Sequence, residues 1–339
     1  MAETEFRILR QLSDIDPAHW NALHDGNNPF VQHAFLDGLE RHGCLREEWG
    51  WIAHHPSLWQ NGKPIAVAPG YLKSNSHGEF VFDHAWAEAY QRHGIAYYPK
   101  WLLAIPYSPV TGPRLLADTA GSRDALLQAI CDHAQSTGLS SVHANFLSET
   151  DDAAFHAPWL SRSDVQFHWH NQGWPDFDAF LQSLQRKKRK NIVQERAKVQ
   201  ASGVTYRWVS GREATDLELE TMHRLYVQTF DAYGNSPALT LPFFKHLAAA
   251  LPDALLMIFA ERDHRIIAGA LCLRGGDTLY GRYWGCSDPA PGLHFETCYY
   301  QGIAYCLKYG LRCFEPGAQG QHKIARGFLP TATRSRHWL

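Results

Sequence analysis

Apolar positions along the chain gather into two successions of the same order. In the first, Ile65–Lys73 and Glu79–Asp83 flank turn residues Ser74–Gly78, which predicts a hairpin. A helix follows over Asp124–Thr137, with Ala125, Leu126, Ala129, Ile130 and Ala134 on one side; Gly138 stops it, and a strand runs over Ser141–Leu147. In the second, Leu255–Ala260, Ile266–Leu273 and Thr278–Gly285 read as strands joined at Asp263-His264-Arg265 and Gly275-Gly276-Asp277. A helix from about Phe295 to Tyr309 stops at Gly310, and a strand over Leu311–Phe314 closes the set. Gly138-Leu-Ser-Ser and Gly310-Leu-Arg-Cys therefore hold the same place, and a duplicated unit is expected. Ahead of both, Asn27-Asn28-Pro29 opens a helix from Phe30 to about His42, which Gly43 ends.

A chain of 339 residues exceeds one ordinary core, so two domains are expected, 1–160 and 161–339, parted in the polar stretch Asp151–Asp164. The fold class is α/β with mixed sheets. Composition is globular, and the formal charge of −2 excludes a global field toward DNA or membrane; any anion site must be local. Aromatic residues reach 13%, enough to fill a core and to line a ligand groove. The cysteines form no CxxC pair and lie in apolar segments, as free thiols of a reducing cytoplasm do. Met1–Arg10 has no apolar run, and nothing approaches a transmembrane length.

The local anion site is expected at Arg186, Lys187, Lys188, Arg189 and Lys190, with Arg196 and Lys198 beyond. On a helix from about Phe177 to Gln200, residues Phe180, Leu181, Leu184, Ile192, Val193 and Val199 make a broken core stripe, and the cations take the remaining face. Phosphates of tRNA or of a nucleotide-linked precursor would suit it; a merely solvated helix face is the alternative. Twenty histidines invite a metal, yet His54 and His55 point apart, His168 and His170 share a strand face without partners nearby in sequence, and no HExxH or Cys/His set exists. No metal is expected, nor, without a GxSxG elbow, a Ser/His/Asp triad.

Four stretches resemble a known family: Asn28-Pro-Phe-Val-Gln-His-Ala-Phe-Leu36, Tyr71–Asp83, His294-Phe-Glu-Thr-Cys-Tyr-Tyr300 and Glu315–Phe328. With the hairpin at Ile266–Gly285, the second half resembles the GNAT acyltransferase fold, and the whole is similar to its FemAB-like branch, proteins with two GNAT-like domains in tandem. The resemblance implies acyl or aminoacyl transfer to an amine acceptor, a small molecule or a peptide of the peptidoglycan kind. The donor would be aminoacyl-tRNA or an acyl-CoA, with no permanently bound cofactor. It also implies a chain that runs on past Leu339. The GNAT pyrophosphate loop is replaced by Asp288-Pro-Ala-Pro-Gly-Leu-His294, where two prolines remove backbone donors. Coenzyme A is therefore expected to bind poorly, leaving an acetyl-CoA-dependent N-acetyltransferase as a lesser alternative beside a non-catalytic module that recognises peptide or cell-wall fragments.

Within that frame His294, Glu296, Tyr299 and Tyr300 begin a helix, the last three on one face. Glu296 or His294 would take the amine proton, unless Glu296 merely favours its helix start. The resemblance places a lysine near the transferred carbonyl, and Lys323, beside His322 and Arg326 after a glycine-rich strand end, matches it; a plain surface lysine is the alternative. Glu296 and Lys323 are expected to share one site. In the first domain Lys73, His77, Glu79, Asp83 and Arg114 are candidates for the acceptor, or for a structural polar network.

Overall fold

The computed structural model describes residues 4–317 and 320–339 and resolves two compact units, residues 4–164 with 332–339, and residues 165–331. The second unit begins a few residues beyond the expected division at 160/161, and the last residues are counted with the first unit.

In the first unit one sheet runs Thr4–Leu9, His55–Gln60, Lys63–Val67, Leu116–Ala117, all antiparallel. The other orders the end of Leu329–Trp338, then Val142–Asn145, Lys100–Leu103, Gly70–Lys73 and Trp51–Ala53. Its one parallel pair, Lys100–Leu103 with Val142–Asn145, needs a crossover, which the helix Ala120–Thr137 supplies. Gly138, left-handed at φ 69°, ends that helix as the sequence predicts. Leu126, Ile130 and Ala134 bury its inner stripe against Trp101, Val142 and Leu58.

The hairpin expected over residues 65–83 does not form. Lys63–Val67 and Gly70–Lys73 are separate strands of different sheets, and Glu79–Asp83 is loop. Phe80 takes a left-handed φ of 61°, which breaks any pleat, so residues 77, 79, 81 and 83 share no strand face. Asp83 instead precedes the helix His84–Arg92.

The second unit has the order Thr205–Ser210, Leu255–Arg262, Arg265–Gly275, Thr278–Cys286, Cys313–Glu315, then the end of Leu160–His170. Leu255–Ala260 is buried throughout, so the run is continuously apolar rather than alternating. The parallel pair here is Thr278–Cys286 with Cys313–Glu315, and its crossover is again a helix stopped by a left-handed glycine, Gly310 at φ 68°. The duplication read from the order of elements thus reappears in the pairing.

Two helices of this unit depart from simple periodicity. The predicted helix 177–200 is two helices, Phe177–Ser183 and Arg186–Ala201, broken at extended Leu184. The helix at 293–309 carries a π turn at Glu296–Tyr300 between its α-helical parts Leu293–Phe295 and Gln301–Tyr309. A π turn adds a residue to one turn and recurs at functional sites. Among the described residues no helix is long and apolar enough to cross a membrane, and all seven cysteines are free thiols.

Candidate active site

The parallel strands of the second unit pair over a short span. Register between them runs only from Thr278–Cys313 to Tyr280–Glu315, whereas the first strand continues to Cys286. Just past that point Gly281 still lies so near Pro316 that a side chain there would press on its backbone. Pairing ends here, at the carboxyl-terminal edge at which α/β sheets hold ligands.

Lys323 belongs to this edge. It sits in a 3₁₀ turn, Gln321–Arg326, is 1% exposed, and donates from Nζ to the carbonyl of Gly317 at 2.6 Å. Burial lowers its pKa from 10.5 to about 8, so at neutral pH the site holds a poorly solvated cation. The Tyr299 ring lies 6.0 Å from Nζ, and the Tyr299 hydroxyl meets His322 Nε2 at 2.8 Å. His322 is exposed, and partial desolvation followed by the charges of Arg326 and Lys323 lowers its pKa, which keeps it neutral. His294 packs between Trp284 and Tyr299, and burial, then neighbouring cations, pull it down to about 4. A base that weak accepts no proton from an amine. Ala318 and Gln319, of the glycine-rich stretch, lie outside the described residues.

Glu296 has its own partners. Arg196 clamps its carboxylate through Nε and a terminal nitrogen at 3.1–3.3 Å, and Gln301 donates to it at 2.9 Å. It is 4% exposed and faces a cleft of about 630 Å³ lined also by Gln200, Tyr206 and Asp178. Among the described residues no hydrogen bond or ion pair joins Glu296 to Lys323. A carboxylate whose oxygens are taken by a guanidinium and an amide has little left to offer an amine proton. Along the π turn Glu296 meets Arg196, while Tyr299, three residues on, meets His322 and lies 6.0 Å from Lys323 Nζ.

Tyr300 and Arg326 are also committed. Tyr300 donates to Glu195, and Arg326 donates to the other Glu195 oxygen at 2.6 Å while its guanidinium lies 3.4 Å over the Phe295 ring. Together they brace the helix Arg186–Ala201 against the π turn. On that helix Lys188 donates to the Ile324 carbonyl at 3.0 Å. Arg186, Lys187, Lys190 and Lys198 are exposed and Arg189 half-buried, so five cations still form an outward basic face.

The first unit holds a second polar cluster. Lys100, fully buried, bonds to Glu79 at 2.8 Å, to Ser76 at 2.9 Å and to Asp83. Tyr97 donates to Asp83 at 2.6 Å and meets His143 at 3.2 Å; His143 continues to His337 at 2.7 Å. Despite the nearby lysine, burial dominates Glu79 and pushes it up to about 7. Lys73, also fully buried, donates to the His77 carbonyl at 3.2 Å over the face of Trp51 at 3.6 Å, and burial lowers it to about 7. His77 itself is exposed. Arg114 is sealed in, donating to the carbonyls of Asn145, Pro113 and Val110. No guanidinium donor is left facing outward, so this geometry makes Arg114 a loop anchor rather than an acceptor ligand.

Sequence reasoning missed Lys100, Tyr97, His143 and Glu195 as site residues, and it placed Arg196 on the anion-binding face, whereas its guanidinium holds Glu296. A lysine opening the otherwise apolar run Lys100–Ile105, and a histidine inside Val142–Asn145, were the available signals; a buried ammonium needs partners, and Glu79 and Asp83 supply them to Lys100.

A parallel strand pair joined through a crossover helix, in a chain that also holds a related unit, defines a tandem GNAT-like fold. The chain matches the model of the FemAB-like family, described as peptidoglycan biosynthesis/recognition, over residues 11–339, and it belongs to that family. No curated protein matches it. Among solved structures it is similar to the C-terminal DUF2156 domain of a chain described as a lysylphosphatidylglycerol synthetase from Agrobacterium fabrum, at a TM-score of 0.56 and 10% identity over 96% of this chain and 92% of that one. It is similar also to FemX, at 0.54 and 11% over 95% and 96%, and to L-PGS from Bacillus licheniformis, at 0.53 and 9% over 80% of each.

Proposed function

We propose that the protein transfers an acyl or aminoacyl group to an amine, with an aminoacyl-tRNA as donor and a peptidoglycan-type peptide or precursor as acceptor. The family and the fold support the transferase class. The observation that carries the reading is Lys323, a desolvated cation at the carboxyl-terminal edge of the parallel strands. The acceptor amine attacks the ester carbonyl, and Lys323 meets the oxyanion as a point charge that needs no reorganisation. The Tyr299–His322 pair takes the amine proton, since His322 is neutral and reaches solvent, and returns it to the ribose oxygen of the tRNA as the ester C–O bond breaks and the tRNA leaves. Glu296 positions the π turn rather than acting as base.

Two features favour an aminoacyl-tRNA over coenzyme A. Pro289 and Pro291 precede the helix start, and at Gly292 an added Cβ would stand only 3.3 Å from the Glu195 carbonyl. The basic helix thus closes over the terminus at which a pyrophosphate would seat, while its outer face offers cations to a phosphate backbone.

The test uses purified protein, tRNA charged with radiolabelled amino acid, and a peptidoglycan stem-peptide precursor with a free amine. Label is expected to enter the precursor in a bond that survives mild alkali, as an amide does and the donor ester does not. Label entering only from acyl-CoA would overturn the donor. Tight precursor binding with no transfer from either donor would make the protein a binding module.

A further inference from the structure

The antiparallel strand pair beside the parallel one carries a set of side chains that the transfer reaction does not use. Trp169 and Phe314 point into the core, so their neighbours on both strands face the other way. Those neighbours are His168 and His170 on one strand, Cys313 and Glu315 on the other. His170 stands directly opposite Cys313 in the antiparallel register, and His168 Nδ1 lies 4.0 Å from a Glu315 carboxylate oxygen. Four donors thus occupy the corners of a square on one sheet face, histidine and cysteine at one end, histidine and glutamate at the other.

The geometry points to a site for a zinc-class divalent cation bound by His168, His170, Cys313 and Glu315. The donor atoms of the two histidines and Cys313 all lie within 4.8 Å of one another. Zinc bonds of about 2.1 Å to nitrogen and 2.3 Å to sulfur put tetrahedral ligands about 3.4–3.6 Å apart, so these three donors need draw together by no more than about 1.4 Å, and Glu315 stands beside them, 4.0 Å from His168 Nδ1. The tautomer is prepared as well. His168 Nε2 lies 3.1 Å from Gln166 Oε1; an amide oxygen only accepts, so the proton sits on Nε2 and the Nδ1 lone pair faces Glu315. Orientation of a ligating imidazole by a hydrogen bond from its other nitrogen is the usual second-layer arrangement around a metal. His168 is buried, Cys313 half-buried and His170 exposed, which gives a shielded floor and an open mouth for the ion. Two imidazoles, one thiolate and one carboxylate favour zinc, cobalt(II) or copper(II) over magnesium or calcium, which prefer oxygen alone. Binding releases the thiol proton to solvent and leaves thiolate on the metal. Spacing along the chain hides this set, because the two strands come from distant stretches of sequence.

Cobalt(II) is the direct probe, since a thiolate–cobalt bond gives a near-ultraviolet charge-transfer band and a tetrahedral site gives intense visible bands. Reduced, chelator-treated full-length protein titrated with cobalt chloride is expected to develop both bands, saturating at one ion per chain, and zinc chloride should bleach them. Cys313→Ser should lose the charge-transfer band, and His170→Ala should weaken binding at least about tenfold, the range that even indirect ligand support commands. Both positions reach the surface, and unchanged circular dichroism would certify their folds. No cobalt band in the wild type, or a charge-transfer band that persists in Cys313→Ser, overturns the site.

Discussion

Replacing Lys323 by methionine tests the physical premise of the proposed chemistry. A lysine whose pKa falls from 10.5 to about 8 carries a charge at pH 7 that costs about 3 kcal/mol more in the folded than in the unfolded chain. Between pH 8 and 10.5 the unfolded chain binds the proton and the folded one does not, so stability rises with pH across that window. The gain is complete above 10.5 and is lost as pH falls through 8. Methionine has nearly the same length and no proton to lose. The gap in unfolding free energy between wild type and Lys323→Met should therefore shift by about 3 kcal/mol in favour of wild type from pH 7 to pH 10.5. Taking the difference cancels the other lysines, tyrosines and cysteines that titrate in the same range. Urea unfolding at pH steps through this window, followed by far-ultraviolet circular dichroism, reads it directly. In the transfer assay Lys323→Met should lose about 10²–10³ in kcat, as when one oxyanion donor is removed, and wild-type kcat/KM should fall as pH rises above about 8 and the cation disappears. Parallel stability curves for the two proteins would show that Lys323 is solvated, and the argument from a desolvated cation would fail with them.

Two further outcomes are expected from the same geometry. Changing Lys187 and Lys190 to glutamine should weaken tRNA binding and flatten the dependence of log K on log salt by about 0.7–0.9 for each phosphate no longer neutralised; an unchanged slope in filter binding would return the face to simple solvation. Lys100→Ala leaves Glu79 and Asp83 buried without their cation and should cost about 3–5 kcal/mol in urea unfolding, whereas a loss below about 1 kcal/mol would mean the cluster is wetter than its burial indicates.

The order of elements, the two glycine stops and the apolar runs were legible from the sequence alone, because each is a local consequence of chain chemistry. Gly138 and Gly310 end helices by taking a left-handed conformation that other residues avoid, and Leu255–Ala260 reads as a strand buried on both faces wherever it is placed. The sequence also determined that cations would crowd the face of one helix. What it did not determine is which charges meet. Lys188 and Arg196 lie in the same basic run as Lys187 and Lys190, yet the first pair is spent on Ile324 and Glu296; the difference is the direction of each side chain around the helix and what packs there. The π turn at Glu296–Tyr300 adds one residue, a change no periodicity signals, and along it Glu296 meets Arg196 while Tyr299 meets His322. Glu79 and Asp83 look like a strand face in sequence but fold around Lys100, because an ammonium carried into the core by an apolar strand is costly until it finds partners. Register between distant strands likewise set His170 against Cys313. Local preference wrote the elements; burial, which makes unpartnered charge costly, decided the contacts among them.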